Sequence, residues 1–282
     1  MLKGIGHYER SHRPWNAFLD DEGKATSDPR WLRSKPWRGV ICKHTTPQLV
    51  KDCATLGIPL VDMNDSAEYP GVPKIKPDNA ALGHLGAEHF VERGYSQVGF
   101  CGFSNQVWAG ERRDGFAEAA NLAGLRCDVF DVDYPGDLTP AWDEQQTAAI
   151  ALWLRGLPKP IGVMACNDMR ALQVMAAAEI ADLLVPEELA VLGANNDVIR
   201  CELAYPPLSS VSTNPFQSGY RAAEKLDQMM LGQYVVAKRH QDAIGLLRRC
   251  VFKRLTMLDC NIAIAVGYAS CVRVTYHALR GI

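Results

Sequence analysis

The 282-residue chain contains no run of the roughly 18 to 20 apolar residues that a membrane span requires. Its first ten residues, Met1 to Arg10, lack the apolar stretch of a secretory leader, which points to a cytoplasmic protein with no membrane partner. The nine cysteines are odd in number and nowhere form a C-x-x-C spacing, so neither a disulfide framework nor a zinc knuckle is expected. Also missing are G-x-G-x-x-G before a helix, G-x-x-x-x-G-K-[ST], G-x-S-x-G and H-E-x-x-H. His84 and His89 stand five apart and cannot share a helix face as a metal pair would. No catalytic residue, metal or cofactor is therefore assigned, and the chain does not read as an enzyme. With 48% hydrophobic and 22% charged residues, it is equally unlike collagen or a disordered protein.

Charge is present but unevenly placed. Residues 233 to 282 hold eight basic and two acidic side chains, a net +6, which leaves 22 basic against 30 acidic residues, net −8, in the first 232. That tail also carries three of the nine cysteines. Its basic charge suits nucleic acid, but it lacks regularly spaced aromatics and two adjacent helical patterns joined by a turn.

Before the tail, strand-type and helix-type patterns alternate. Helical spacing covers Leu2 to Arg10; Gly39–Cys42 and Ile58–Asp62 read as strands on either side of a helix that starts at Thr45, Thr46 and Pro47 and stops at Gly57. Asp78 is placed to cap a helix closed by Gly94, followed by a strand from Gln97. Further helices are expected over 109–122, 143–154, 168–181 and 215–231, and further strands at Cys127, Ile161, Leu189 and Ser209. Such alternation predicts an α/β fold with parallel sheets, and the number of units favours two lobes, each a doubly wound sheet. Ligands of these folds bind beyond the carboxyl ends of the strands. The side chains that follow strands there include Trp108, Arg112, Asn167, Asp168 and Asn195. Together they offer a flat apolar face, a fixed cation and paired amide and carboxylate groups, the mixture a sugar needs. Taken singly, Asp168 is as good a helix cap, Trp108 a core residue and Arg112 a solvated helix charge.

Several segments carry a family resemblance. Lys76-Pro-Asp78-Asn79 with a helix ending His89-Phe-Val-Glu-Arg-Gly94, Arg112-Arg-Asp-Gly115-Phe116, Ala165-Cys-Asn167-Asp168, Val185 to Asp197, and Pro206-Pro-Leu-Ser-Ser-Val resemble, in order and spacing, the effector-binding domain of the lac-repressor family. Trp108-Ala-Gly-Glu111-Arg112 looks closest to bacterial xylose-operon regulators. The resemblance spans roughly residues 40 to 232. It implies a two-lobed, periplasmic-binding-protein-like type I fold with a monosaccharide, a xylose-like pentose, held between the lobes. By residue, it places Arg112, Asn167 and Asp168 on the effector, adds Trp108 as an aromatic of the xylose-type branch, and puts Asn195 where most members carry aspartate.

The same resemblance implies a homodimer and operator DNA, the latter bound through a helix-turn-helix domain largely missing from this chain. Expected boundaries are a sugar-binding domain over 1–232, short of its first strand, with lobes of 1–103 plus 214–232 and 104–213. The tail 233–282 is then an aberrant basic remnant of linker and DNA-binding domain. Two other readings stay open: the binding protein of a sugar transporter, or an α/β sugar enzyme using Asp168 with Asp197.

Overall fold

The structure, a computed structural model, describes residues 1–20, 28–64, 67–233, 240–242 and 245–247. Helix α1 (Leu2–Ser11) leads through a short 3-10 turn (Pro29–Arg33) to β1 (Val40–Cys42). Helix α2 (Pro47–Leu56) starts where Thr46 accepts the Leu49 N–H and Pro47 supplies a preset φ, and it stops at Gly57 in the left-handed region. Strands β2 (Leu60–Asp62) and β3 (Ile75–Pro77) follow. β1 pairs with β2 in parallel, a single bridge joins Asp62 to Lys74, and β3 pairs in parallel with β9 (His240–Asp242). The first lobe is thus assembled from strands of three residues each. Helix α8 (Pro215–Met230) closes it, burying Ala222 and Leu226 with Val61, Met63 and Ile75.

The second lobe opens with α3 (Asn79–Val91), capped by the Asp78 carboxylate on the Ala81 N–H. It continues through β4 (Gln97–Phe103), α4 (Val107–Leu122), β5 (Arg126–Val132), α5 (Pro140–Gly156), β6 (Ile161–Ala165), α6 (Asp168–Ile180), β7 (Leu189–Ala194), α7 (Val198–Leu203) and β8 (Ser209–Ser212). These strands, with β10 (Gly245–Leu247), form one sheet in the order β10-β8-β7-β6-β4-β5, parallel except for β10. Successive residues of a strand face opposite ways, and here both faces are covered. Val163 and Val191 pack with Ile150, Leu154 and Val174 under α5 and α6, while their neighbours Met164 and Leu192 pack with Leu82, Phe90 and Phe116 under α3 and α4.

The doubly wound, two-lobed expectation therefore holds, but its boundaries move. The strand at Gln97–Phe103, expected in the first lobe, is an interior strand of the second-lobe sheet, between β6 and β5. The first passage between lobes falls after Pro77, not near residue 103, because β3 was hidden by its polar Lys76 and its three-residue length. The chain returns to the first lobe after Ser212. The expected end of the domain at residue 232 also moves: β9 pairs with β3 of the first lobe and β10 with β8 of the second. The remaining tail positions, 234–239, 243–244 and 248–282, lie outside the described residues.

Beyond β3, sequence patterning missed the 3-10 turn, α7, β9 and β10, none longer than six residues, and the first turn of α5, signalled by Thr139 and Pro140. Among the described residues no helix is long and apolar enough to cross a membrane, and no group of three or more His, Cys, Asp or Glu side chains is placed to hold a metal.

Candidate ligand-binding site

The carboxyl ends of β4, β6 and β7 meet at one edge of the second-lobe sheet, and the polar side chains beyond them gather there. Arg112, one helical turn beyond Trp108 on α4, lies over the Trp108 ring with its guanidinium carbon 4.9 Å from the ring centroid. It is only 2% exposed, so it is no solvated helix charge. Its Nε donates to Asn79 Oδ1 at 3.0 Å and its Nη1 to the Cys166 carbonyl at 2.6 Å. That carbonyl belongs to the residue after β6, directly before Asn167. The bond to Asn79 depends on a close approach of α3 and α4. A Cβ on Gly83 would stand 2.1 Å from the Arg112 carbonyl oxygen, and one on Gly115 would stand 2.2 Å from the Ala80 carbonyl oxygen. The glycines let the helices touch and bring Asn79 against Arg112.

Trp108 also meets the edge of Phe103, the last residue of β4, with ring centroids 6.4 Å apart. Tyr134 and Trp142 pack against the same Phe103 ring at 5.1 and 6.4 Å. An aromatic floor beneath the polar groups results, and of its members only Trp108 was anticipated.

Asn167 and Asp168 divide the work at the start of α6. Asn167 is the cap, its Oδ1 accepting the Arg170 N–H at 2.8 Å. Asp168, read as the possible cap, is instead the first helical residue, and its carboxylate is 1% exposed. Its Oδ1 accepts from the Ser210 hydroxyl and its Oδ2 from the Asp197 N–H, each at 2.6 Å. Burial pushes the Asp168 carboxyl above the ordinary carboxylate range, an effect offset in part by these two hydrogen bonds and by the nearby Arg112 charge. Space for the carboxylate comes from Gly193, where a Cβ would lie 2.2 Å from Asp168 Oδ1.

Asn195 stands exposed just beyond β7, with φ of 100°, and Asn196 follows with φ of 55°. Two successive residues in the left-handed region favour asparagine among non-glycine residues. The Asn195 N–H donates to the Val211 carbonyl and the Asn196 N–H to Ser210 Oγ, each at 2.9 Å. Asn195 therefore reaches the Asp168 cluster through the β8 backbone and Ser210. Asp197, the second carboxylate of the enzyme reading, caps α7 and pairs with Arg200. Burial opposes its ionisation, but the Arg200 N–H and guanidinium hold its carboxyl below the usual range. Both members of the only proposed acid and base pair are thus held in hydrogen bonds and an ion pair within this chain.

Residues that patterning did not assign complete the picture. Lys76 in the middle of the first lobe's β3, only 5% exposed, pairs with Glu111 of α4 at 2.7 Å, and Asn79 Nδ2 donates to Glu111 Oε2 at 2.9 Å. Lys76 and Asn79 sat in quoted motifs, and Glu111 precedes Arg112, but nothing in local periodicity joins position 76 to 111. Ser210 carried a signal only as the second serine of Pro206-Pro-Leu-Ser-Ser-Val.

Two lobes, chain passages between them and a buried polar cluster at strand ends define a ligand-binding protein of the type I periplasmic-binding architecture. The chain belongs to the periplasmic binding protein-like domain family, whose model matches residues 87–249. It is 32% identical over 245 residues to the xylose operon regulatory protein of Haemophilus influenzae, covering 83% of this chain and 62% of that protein. To the same regulator of Escherichia coli K12 it is 30% identical, over 82% of this chain and 59% of the relative. The chain thus spans about three fifths of the length of these relatives. Among solved structures, the xylose-binding transcription activator xylR superposes with a TM-score of 0.73 at 27% identity, over 92% of this chain and 67% of that one. A periplasmic binding protein/LacI transcriptional regulator from Alkaliphilus metalliredigens, complexed with D-xylulofuranose, shares the fold at a TM-score of 0.67 and 22% identity, over 88% of this chain and 91% of that one.

Proposed function

We propose that this chain is the sugar-sensing portion of a bacterial transcription regulator of the xylose-operon type, acting in the cytoplasm on a xylose-like pentose. The observation that carries the reading is the buried Arg112, held between Trp108, Asn79 and the carbonyl before Asn167 at the strand ends. A guanidinium fixed against an aromatic face, beside a carboxylate, suits vicinal hydroxyls on a ring with apolar C–H patches. In this reading Trp108 stacks on the sugar, Arg112, Asn167, Asp168 and Asn195 bond its hydroxyls, and the first lobe closes over it. The likeness to xylose operon regulatory proteins supports the choice of ligand.

Sugar binding favours the closed arrangement by its differential affinity and so changes the geometry of paired subunits on operator DNA. A homodimer is supported by the apolar face of α7, where Val198, Ile199 and Leu203, with Tyr205 just beyond, are 48%, 79%, 77% and 92% exposed. DNA contact falls to a helix-turn-helix domain of the whole regulator. Calorimetric titration of the chain with D-xylose, other pentoses and hexoses tests the reading. Saturable heat with a pentose preference is expected, unaccompanied by turnover of the sugar; no heat with any of them, or conversion of a bound sugar, overturns it.

A further inference from the structure

Glu111 sits where the two lobes are stitched together. Lys76 is the middle residue of the first-lobe strand β3, whose last residue, Pro77, leads into the passage, whereas Glu111 belongs to a second-lobe helix. Their charges meet through two contacts, Lys76 Nζ lying 2.7 Å from Oε1 and 2.9 Å from Oε2. The side chain of Lys76 is 6% exposed and that of Glu111 32%. Burial opposes ionisation of Glu111, but Lys76 and Asn79 outweigh it and hold the carboxyl below its ordinary range.

The chemistry of the chain of bonds has a direction. A carboxylate can only accept, so beside Glu111 the Asn79 amide must present its Nδ2. Its Oδ1 is then fixed toward Arg112, whose Nε can only donate. Turning the amide over would set donor against donor at Arg112 and acceptor against acceptor at Glu111. The orientation of the guanidinium that also grips the Cys166 carbonyl is therefore determined, through one amide, by a residue paired to the opposite lobe.

We propose that Glu111 is a positioning residue for ligand recognition: through Asn79 it sets the guanidinium of Arg112, and through Lys76 it ties that setting to the inter-lobe passage. The inference about Arg112 geometry stands on the unliganded chain; its consequence for sugar affinity rests on the function proposed above. Glu111→Leu alone strands a buried ammonium and invites misfolding, so the decisive variant is Lys76→Met with Glu111→Leu, which removes both charges and leaves apolar groups of similar size.

The readout is hydrogen exchange of the Arg112 Nε–H followed by nitrogen-15 NMR on the full chain, the resonance being assigned by its loss in Arg112→Lys. In the double variant, with a cooperative melting transition retained, exchange should accelerate at least tenfold and D-xylose affinity should fall at least tenfold; Glu111→Asp should restore part of both. Unchanged exchange in the folded double variant overturns the proposal. Accelerated exchange in a protein whose wild type binds no sugar leaves the positioning role standing and overturns the sugar reading.

Discussion

The two lobes are built to very different depths. In the second, a six-stranded sheet with strands of up to seven residues has an apolar core on each face, with Phe100, Ile161 and Val163 of its strands and Phe116 of α4 entirely buried. In the first, three-residue strands pair two by two, and the buried apolar groups divide into small clusters around Leu49 and Ile75. Stability follows buried apolar area, so the second lobe should set the global unfolding free energy and the first should open locally at lower cost. The proposed ligand site divides in the same way: its preset side chains, Arg112 and Asp168, belong to the deep lobe, and in the proposed closure the shallow lobe is the element that moves.

The comparison is most strongly challenged by truncating one core in each lobe. Phe116→Ala, against α3 and β4, should lower stability in urea by about 3 to 5 kcal/mol and take the whole second lobe with it. Leu49→Ala, equally buried at 1% exposure, should cost about 2 to 3 kcal/mol and raise amide exchange chiefly in α2, β1 and β2. Equal loss of protection across both lobes from Leu49→Ala would show them to be one cooperative unit. A smaller effect is expected of Gly115→Ala, whose added methyl meets the Ala80 backbone: about 1 to 3 kcal/mol, with weaker sugar binding because α3 and α4 must separate around Asn79 and Arg112. Asn167→Ala should cost about 1 kcal/mol through loss of the α6 cap; a loss of sugar affinity with unchanged stability would instead make Asn167 a ligand contact first.

The mildest effect is one of pH. Because Glu111 is held below its ordinary value of 4.5, its stabilisation is complete above that value and is lost as the pH falls through the folded-state value. The melting-temperature difference between wild type and Glu111→Gln should accordingly shrink on acidification below about pH 4.5. A difference that is flat from neutral to acid would mean the ion pair contributes nothing.

Legibility in the sequence divided along the same line. The deep lobe announced itself: long apolar runs such as Ile161–Ala165, the cap at Asp78 and glycine stops are local signals that each element carries in its own residues. In the shallow lobe β1 and β2 still show as short apolar runs, but β3, Ile-Lys-Pro, has a polar centre and a proline end and carries no strand pattern, which is why the lobe boundary was expected only after β4. At the site, strand-following positions located Trp108, Arg112, Asn167, Asp168 and Asn195, yet the division of labour among them was invisible. Nothing local says that Asn167 caps while Asp168 bonds Ser210, 42 positions away. The Lys76, Glu111 and Asn79 chain was illegible for the same reason: its partners are 35 and 32 positions apart, and only the tight packing allowed by Gly83 and Gly115 brings them together.

Amide hydrogen exchange of the chain, measured with and without D-xylose, tests the central claim of a preset deep lobe and a shallow lobe closed by ligand. The account predicts slow exchange in β4, β6 and β7 without sugar, faster exchange in β1 and β2, and added protection with sugar both at the strand ends near residues 104, 167 and 195 and throughout the first lobe. Sugar-independent exchange at those strand ends, or a first lobe as protected as the second before sugar is added, would contradict it.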